Sequence, residues 1–156
     1  MDIALVTADA VRAALRSIRY AGPLNHNVLV SLEAVTVRLR ADGVNESART
    51  REWMVGRLLG DLVADELNRL RPTARRTTPG DGSREGSIER LRADFALGCP
   101  ATEAWSVLRA RYLAPYPLQM QEMADALNVG VRTVRRRLEQ GHEMLAAALR
   151  QAEATA

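Results

Sequence analysis

Apolar residues recur along this chain at spacings of three and four, the repeat that gathers them on one face of an α-helix. Thr7 can cap a first helix whose stripe is Val11, Leu15 and Ile18, ended by Gly22-Pro23. Asn25 or Asn27 opens a second helix with Val28, Leu32, Val35 and Leu39, and Gly43 ends it. Asn45 or Ser47 opens a third that runs to about Leu70, before Pro72. Its stripe is Val55, Leu58, Leu59, Leu62, Val63, Glu66 and Leu70, with Trp53 and Leu67 alongside, Trp53 being a core or interface anchor. From Arg71 to Gly86 no apolar side chain is larger than alanine, and prolines and glycines interrupt the run, so residues 73–86 are expected to be a linker. Helix resumes at Ser87–Leu97 and ends at Gly98. Thr102 then caps a helix with Trp105, Leu108, Tyr112 and Leu113, which the APYPL stretch breaks. The last helix is expected to continue past Gly141 to about Ala152, with Met144, Leu145, Ala148 and Leu149 apolar. No convincing strand pattern occurs, since Val28–Val30 is embedded in a helical stripe.

The stretch from Gln119 to Leu138, QMQEMADALNVGVRTVRRRL, reads as two short helices joined by a tight turn. Met123, Ala124 and Leu127 line the inner side of the first helix, Ala124 being small where two helices cross closely. Asn128 tolerates the left-handed conformation that ends a helix, and Val129 is expected to plug the corner. The second helix starts near Gly130 or Val131, with Val131, Val134 and Leu138 packed inward. At roughly 100° per residue from Val134, Arg132 and Arg136 point away from the core, Thr133 and Arg135 flank them, and Arg137 lies nearer the packed edge. A cationic, hydrogen-bonding N-terminal helix face of this kind fits the DNA major groove, where arginine can bond guanine through two parallel contacts. The expected DNA-binding residues are Val131, Arg132, Thr133, Arg135, Arg136 and Arg137, with Gln119 at the start of the first helix. The chain is therefore expected to be all-α: an N-terminal three-helix bundle at 1–72 and a C-terminal tetrahelical helix-turn-helix domain at 87–156.

These residues carry a family resemblance. The string EMADALNVGVRTVRRRL resembles the C-terminal, promoter-reading region of bacterial sigma factors and related tetrahelical regulators. Their pattern, close to E-I-A-x-x-L-x-V-S-x-x-T-V-R-x-x-L, is met by Glu122, Met123, Ala124, Leu127, Val129, Thr133, Val134, Arg135 and Leu138. The upstream run AWSVLRARYLAPYPLQMQE is similar to the preceding helix of that region, so the resemblance spans roughly Ser87 to Leu149. Gly130 stands where the pattern has serine, and Gln119 where serine or threonine usually opens the first helix. The N-terminal half shows no match to the sigma segment that melts promoter DNA. The resemblance implies a tetrahelical fold that reads duplex DNA.

Composition narrows the classes without changing the fold. The chain is 47% hydrophobic and 4% aromatic, which suits a helical core of Leu, Val and Ala. Its 22 basic residues are all arginine against 19 acidic ones, so arginine abundance says little and only arginine placement counts. A single cysteine, Cys99, excludes an internal disulfide framework and points to a reducing compartment. No apolar run reaches membrane-spanning length, and the N-terminus lacks a basic secretory leader, so a cytoplasmic protein without a membrane partner is expected. His26 and His142 have no metal-ligand spacing, Gly80-Asp81-Gly82 is not followed by the lysine of a phosphate loop, and Cys99 has no histidine near it in sequence. No cofactor, metal or catalytic activity is expected.

The expected function is DNA-binding transcription regulation, with double-stranded DNA as partner and a homodimer formed through the N-terminal helices. The alternative is a helical interaction module whose helix-turn-helix scaffold binds RNA polymerase or another regulator.

Overall fold

Several helices begin where a side chain or a distant carboxylate satisfies their first N–H groups. The computed structural model describes residues 2–72 and 82–156. Among these residues the fold is all-helical, with seven α-helices and no strand. They are α1 (Ala8–Arg19), α2 (Glu33–Ala41), α3 (Ala48–Leu70), α4 (Arg84–Phe95), α5 (Pro100–Leu108), α6 (Met120–Leu127) and α7 (Val131–Ala154). Thr7 caps α1 by accepting from the Ala10 N–H at 3.2 Å. Ser47 and Thr50 exchange bonds at the start of α3, each hydroxyl accepting from the other's backbone N–H. Of the expected linker, residues 73–81 lie outside the described residues. Its remainder is already structured: Ser83 accepts from the Gly86 N–H and caps α4, three residues before the expected start at Ser87.

The chain forms two compact units, Met1–Leu62 with His142–Ala156, and Val63–Gly141. Helices α3 and α7 each contribute to both. This division differs from the 1–72 and 87–156 boundaries expected from sequence, because the C-terminal half of α7 packs among the N-terminal helices. The first unit buries Val11 and Leu15 of α1, Val35 and Leu39 of α2, Met54, Val55, Leu58 and Leu59 of α3, and Leu145 and Leu149 of α7. Polar contacts hold the same assembly. Arg150 donates to the Val6 carbonyl at 2.7 Å, and Glu153 accepts from Glu33 N–H at 3.0 Å and Ala34 N–H at 2.9 Å.

The second expected helix is split. Val28–Ser31 is a 3₁₀ turn capped by Asn27, Leu32 is extended with ψ 138, and only then does α2 begin. Leu32 has no capping side chain, and Glu153 takes that role from a helix more than a hundred residues later. Arg51 of α3 supports the break by donating to the carbonyls of Val30 and Leu32, to Thr36 Oγ1 and to Glu46. Trp53, expected as an anchor, is 48% exposed and lies under the Arg57 guanidinium at 5.1 Å.

His142 of the first unit is 2% exposed. Burial pushes its pKa down from 6.5 to about 4, and the charge of Arg12 acts in the same direction while Asp9 opposes it. The unfolded chain therefore binds a proton near pH 6.5 that the folded chain refuses until about pH 4. Stability is full above the unfolded value, falls between pH 6.5 and 4, and loses no more from this group below that. The loss is expected to reach about 3 kcal/mol. A His142→Leu variant should flatten the decline in denaturant midpoint across this window. An unchanged decline would assign it to other groups.

The second unit buries Leu91, Trp105, Val107, Leu108, Leu118, Met123, Val134 and Leu138. Helix α5 starts with Pro100 in its first turn after Cys99, not at Thr102, because proline already has the helical φ and needs no N–H partner there. Thr102 is instead fully buried one turn in. Beyond α5, Arg109–Leu113 forms a π-helical turn closed by a bond of 2.8 Å from Ala114 N–H to the Arg109 carbonyl. Helix α5 and α7 meet closely at Gly141, where an added Cβ would lie 3.0 Å from the Ala104 carbonyl. That approach explains a glycine inside a long helix.

Candidate nucleic-acid interface

The α6–turn–α7 segment is positioned from both of its ends. At the start of α6, Glu122 Oε1 accepts from Gln119 N–H at 3.0 Å, the third-position carboxylate of a capping box. Glu122 Oε2 also accepts from Arg84 Nε of α4 at 2.7 Å. The Gln119 N–H and the Arg84 guanidinium together hold the Glu122 carboxyl below its usual value. At the end of α6, Arg92 of α4 donates to the Ala126 carbonyl at 2.8 Å. So α4 grips α6 at each terminus, satisfying groups a short helix leaves open.

Asn128 then takes the left-handed conformation, φ 54 and ψ 45, and Val129 N–H returns to the Ala124 carbonyl at 3.0 Å. Ala124 is buried against this turn. Val129 does not plug the corner: it is 37% exposed, because the left-handed residue before it turns the chain outward. Gly130 accepts from Thr133 N–H at 3.1 Å and so opens α7, which continues unbroken for 24 residues.

No protein-family model, curated protein or solved structure matches the chain.

Val134 and Leu138 anchor α7 inward. Arg132, Arg135 and Arg136 are exposed on its first two turns, and none of the three pairs with a carboxylate among the described residues. Val131 and Thr133 are half-buried beside them, and Gln119 is exposed at the head of α6. Arg137 is set apart: its Nε donates to Glu103 of α5 at 2.8 Å, and the two side chains are only 17% and 15% exposed. It is committed to holding α7 on α5, whereas the other three arginines project into solvent. The exposed face turns acidic at Glu139 and Glu143.

Sequence periodicity did not single out the polar cluster in the same unit. Arg71, 5% exposed, donates to both oxygens of Asp94, at 2.8 and 2.7 Å, and Ser106 Oγ donates to Asp94 Oδ2 at 2.6 Å. One signal was present: Ser87, Leu91 and Asp94 form the buried stripe of α4, and a carboxylate on such a stripe requires a buried cation.

Proposed function

We propose that this protein is a DNA-binding transcription regulator in which α6, the turn at Asn128 and α7 act as a helix-turn-helix. The observation that carries this reading is the exposed, unpaired placement of Arg132, Arg135 and Arg136 on the first two turns of α7. The first turn of α7 holds the positive end of the peptide dipoles, where cations are unfavourable by about 0.3–1 kcal/mol each. Arg132 lies in that turn, which holds no acidic residue, and Arg135 and Arg136 follow it in the second turn, exposed and without a carboxylate partner among the described residues. A polyanion supplies the missing counter-charge, and the N-terminal turns of a recognition helix are the part that enters the major groove. Arg132, Thr133, Arg135 and Arg136 would touch bases or phosphates, Val131 would meet a thymine methyl, and Gln119 would contact the backbone beside α6. Arg137, bonded to Glu103, would support the helix rather than touch DNA. The likeness of this segment to the promoter-reading region of sigma factors is consistent with that use. Self-association through the N-terminal helices would place two such heads on one duplex.

A second reading has one observation in its favour. Val129 and Tyr116, at the turn and just before α6, are 37% and 43% exposed, and apolar groups at such a rim suit a protein partner such as RNA polymerase.

The test is selection of bound sequences from a genomic duplex library at two salt concentrations. The DNA reading expects an enriched motif and an affinity that falls steeply with salt as counterions are released. Absence of binding at the lower salt would leave the protein-partner reading.

A further inference from the structure

One buried carboxylate of the second unit, Asp94, is bonded by Arg71 and acts through its charge on Arg90 and Arg109. Arg71 and Ser106 occupy both oxygens of Asp94. Arg90 stands one helical turn before Asp94 on the same side of α4. Arg109 stands one turn after Ser106, at the start of the π-helical turn that follows α5. Because Ser106 bonds Asp94, these two sides of α4 and α5 face each other, and the charges of Arg90, Arg71 and Asp94 all act on Arg109. Both are half-buried, and neither makes a side-chain hydrogen bond or ion pair among the described residues. With Arg71 matched by Asp94, two guanidinium charges are left over in a partly dehydrated place. A buried charge without a counter-ion is costly, and arginine cannot shed its proton to escape that cost.

We propose that Arg90 and Arg109 form an anion site that takes the phosphate group of a small phosphorylated molecule. Two planar forks match a dianion with three acceptor oxygens in both charge and geometry. The electrostatics of the cluster are consistent with this. Burial, with the charges of Arg90 and Arg71, lowers Arg109 from 12.5 to about 10, and burial with Arg71 lowers Arg90 as well. The π-helical turn adds a local irregularity of the kind that recurs at functional sites. Neither arginine belongs to the exposed arginine face of α7, so the proposal stands apart from the DNA reading.

The probe is inorganic phosphate and pyrophosphate, added to the full chain at fixed ionic strength with chloride as reference, and followed by thermal unfolding. Saturating pyrophosphate should raise Tm by roughly 5 °C beyond chloride. Arg109→Met should lose that rise while melting no lower than wild type in chloride, because it removes an uncompensated charge. Arg90→Gln, at the other side of the site, should weaken the rise at least tenfold in concentration and serves if Arg109→Met does not fold. Arg132→Ala should retain the full rise. The proposal is overturned if wild type and both cluster variants respond alike, or if pyrophosphate does no more than chloride. It is equally overturned if Arg109→Met weakens duplex binding while free pyrophosphate has no effect, since the cluster would then serve the DNA backbone.

Discussion

Replacing Asp94 by alanine is expected to cost about 3–5 kcal/mol of stability, the largest effect of any single substitution considered for this fold. Asp94 is 2% exposed and Arg71 5%, so the guanidinium left behind would be a buried cation with no counter-charge. Arg90 and Arg109, which already press on the same site, would add repulsion. Urea unfolding of the full chain measures the loss. The double variant Arg71→Met with Asp94→Leu should recover most of it, since replacing both partners of a buried pair by apolar groups is often neutral. A single variant that lost less than about 1 kcal/mol would place the pair in water, in the range of exposed ion pairs.

Arg132→Ala and Arg136→Ala should each weaken specific DNA binding by about 1–3 kcal/mol, and together by roughly the sum if the two contacts are independent. The two side chains lie one turn apart on the exposed face of α7. Fold stability should change little, because both side chains are exposed, and Arg132→Ala also removes a cation from the positive first turn of α7. Arg137→Ala should behave in the opposite way. It strands Glu103, which is 15% exposed, and so should lower stability while leaving sequence preference unaltered. Fluorescence polarisation on a library-selected duplex, beside thermal unfolding, separates the two classes. Wild-type affinity in both Arg132→Ala and Arg136→Ala would remove α7 as the groove-facing element.

Much of the local architecture was legible because its causes lie within one or two helical turns. Thr7 caps α1 with its own hydroxyl, and Asn128 turns the chain because asparagine tolerates positive φ. The 3.6-residue repeat placed Val134 and Leu138 inward and Arg132 and Arg136 outward, as the burial pattern has them. The repeat also carried α7 past Gly141 as a single helix.

The break before α2 arises where distant groups intervene. A stripe of Val28, Leu32, Val35 and Leu39 continues smoothly through the break before α2, because periodicity cannot register that Arg51 takes the Val30 carbonyl and Glu153 the Glu33 and Ala34 N–H groups. The start of α5 differs for a local reason: Pro100 fits a first helical turn, so the helix opens two residues before Thr102.

By itself, then, the sequence determined the helical class, the tight turn between α6 and α7 and the outward arginine face, all of which follow from side-chain periodicity and backbone preference over a few residues. Tertiary structure alone decided which charges are spent and which remain available. Arg137 is drawn to Glu103, Arg71 to Asp94 and Glu153 to the head of α2, while Arg132, Arg135 and Arg136 are left facing solvent. All but Arg71, which directly follows α3, are charged residues on helices, and sequence spacing alone did not separate them. The physical difference is desolvation: a charge must find a partner when the face carrying it is covered, and which faces are covered depends on how helices far apart in sequence pack together.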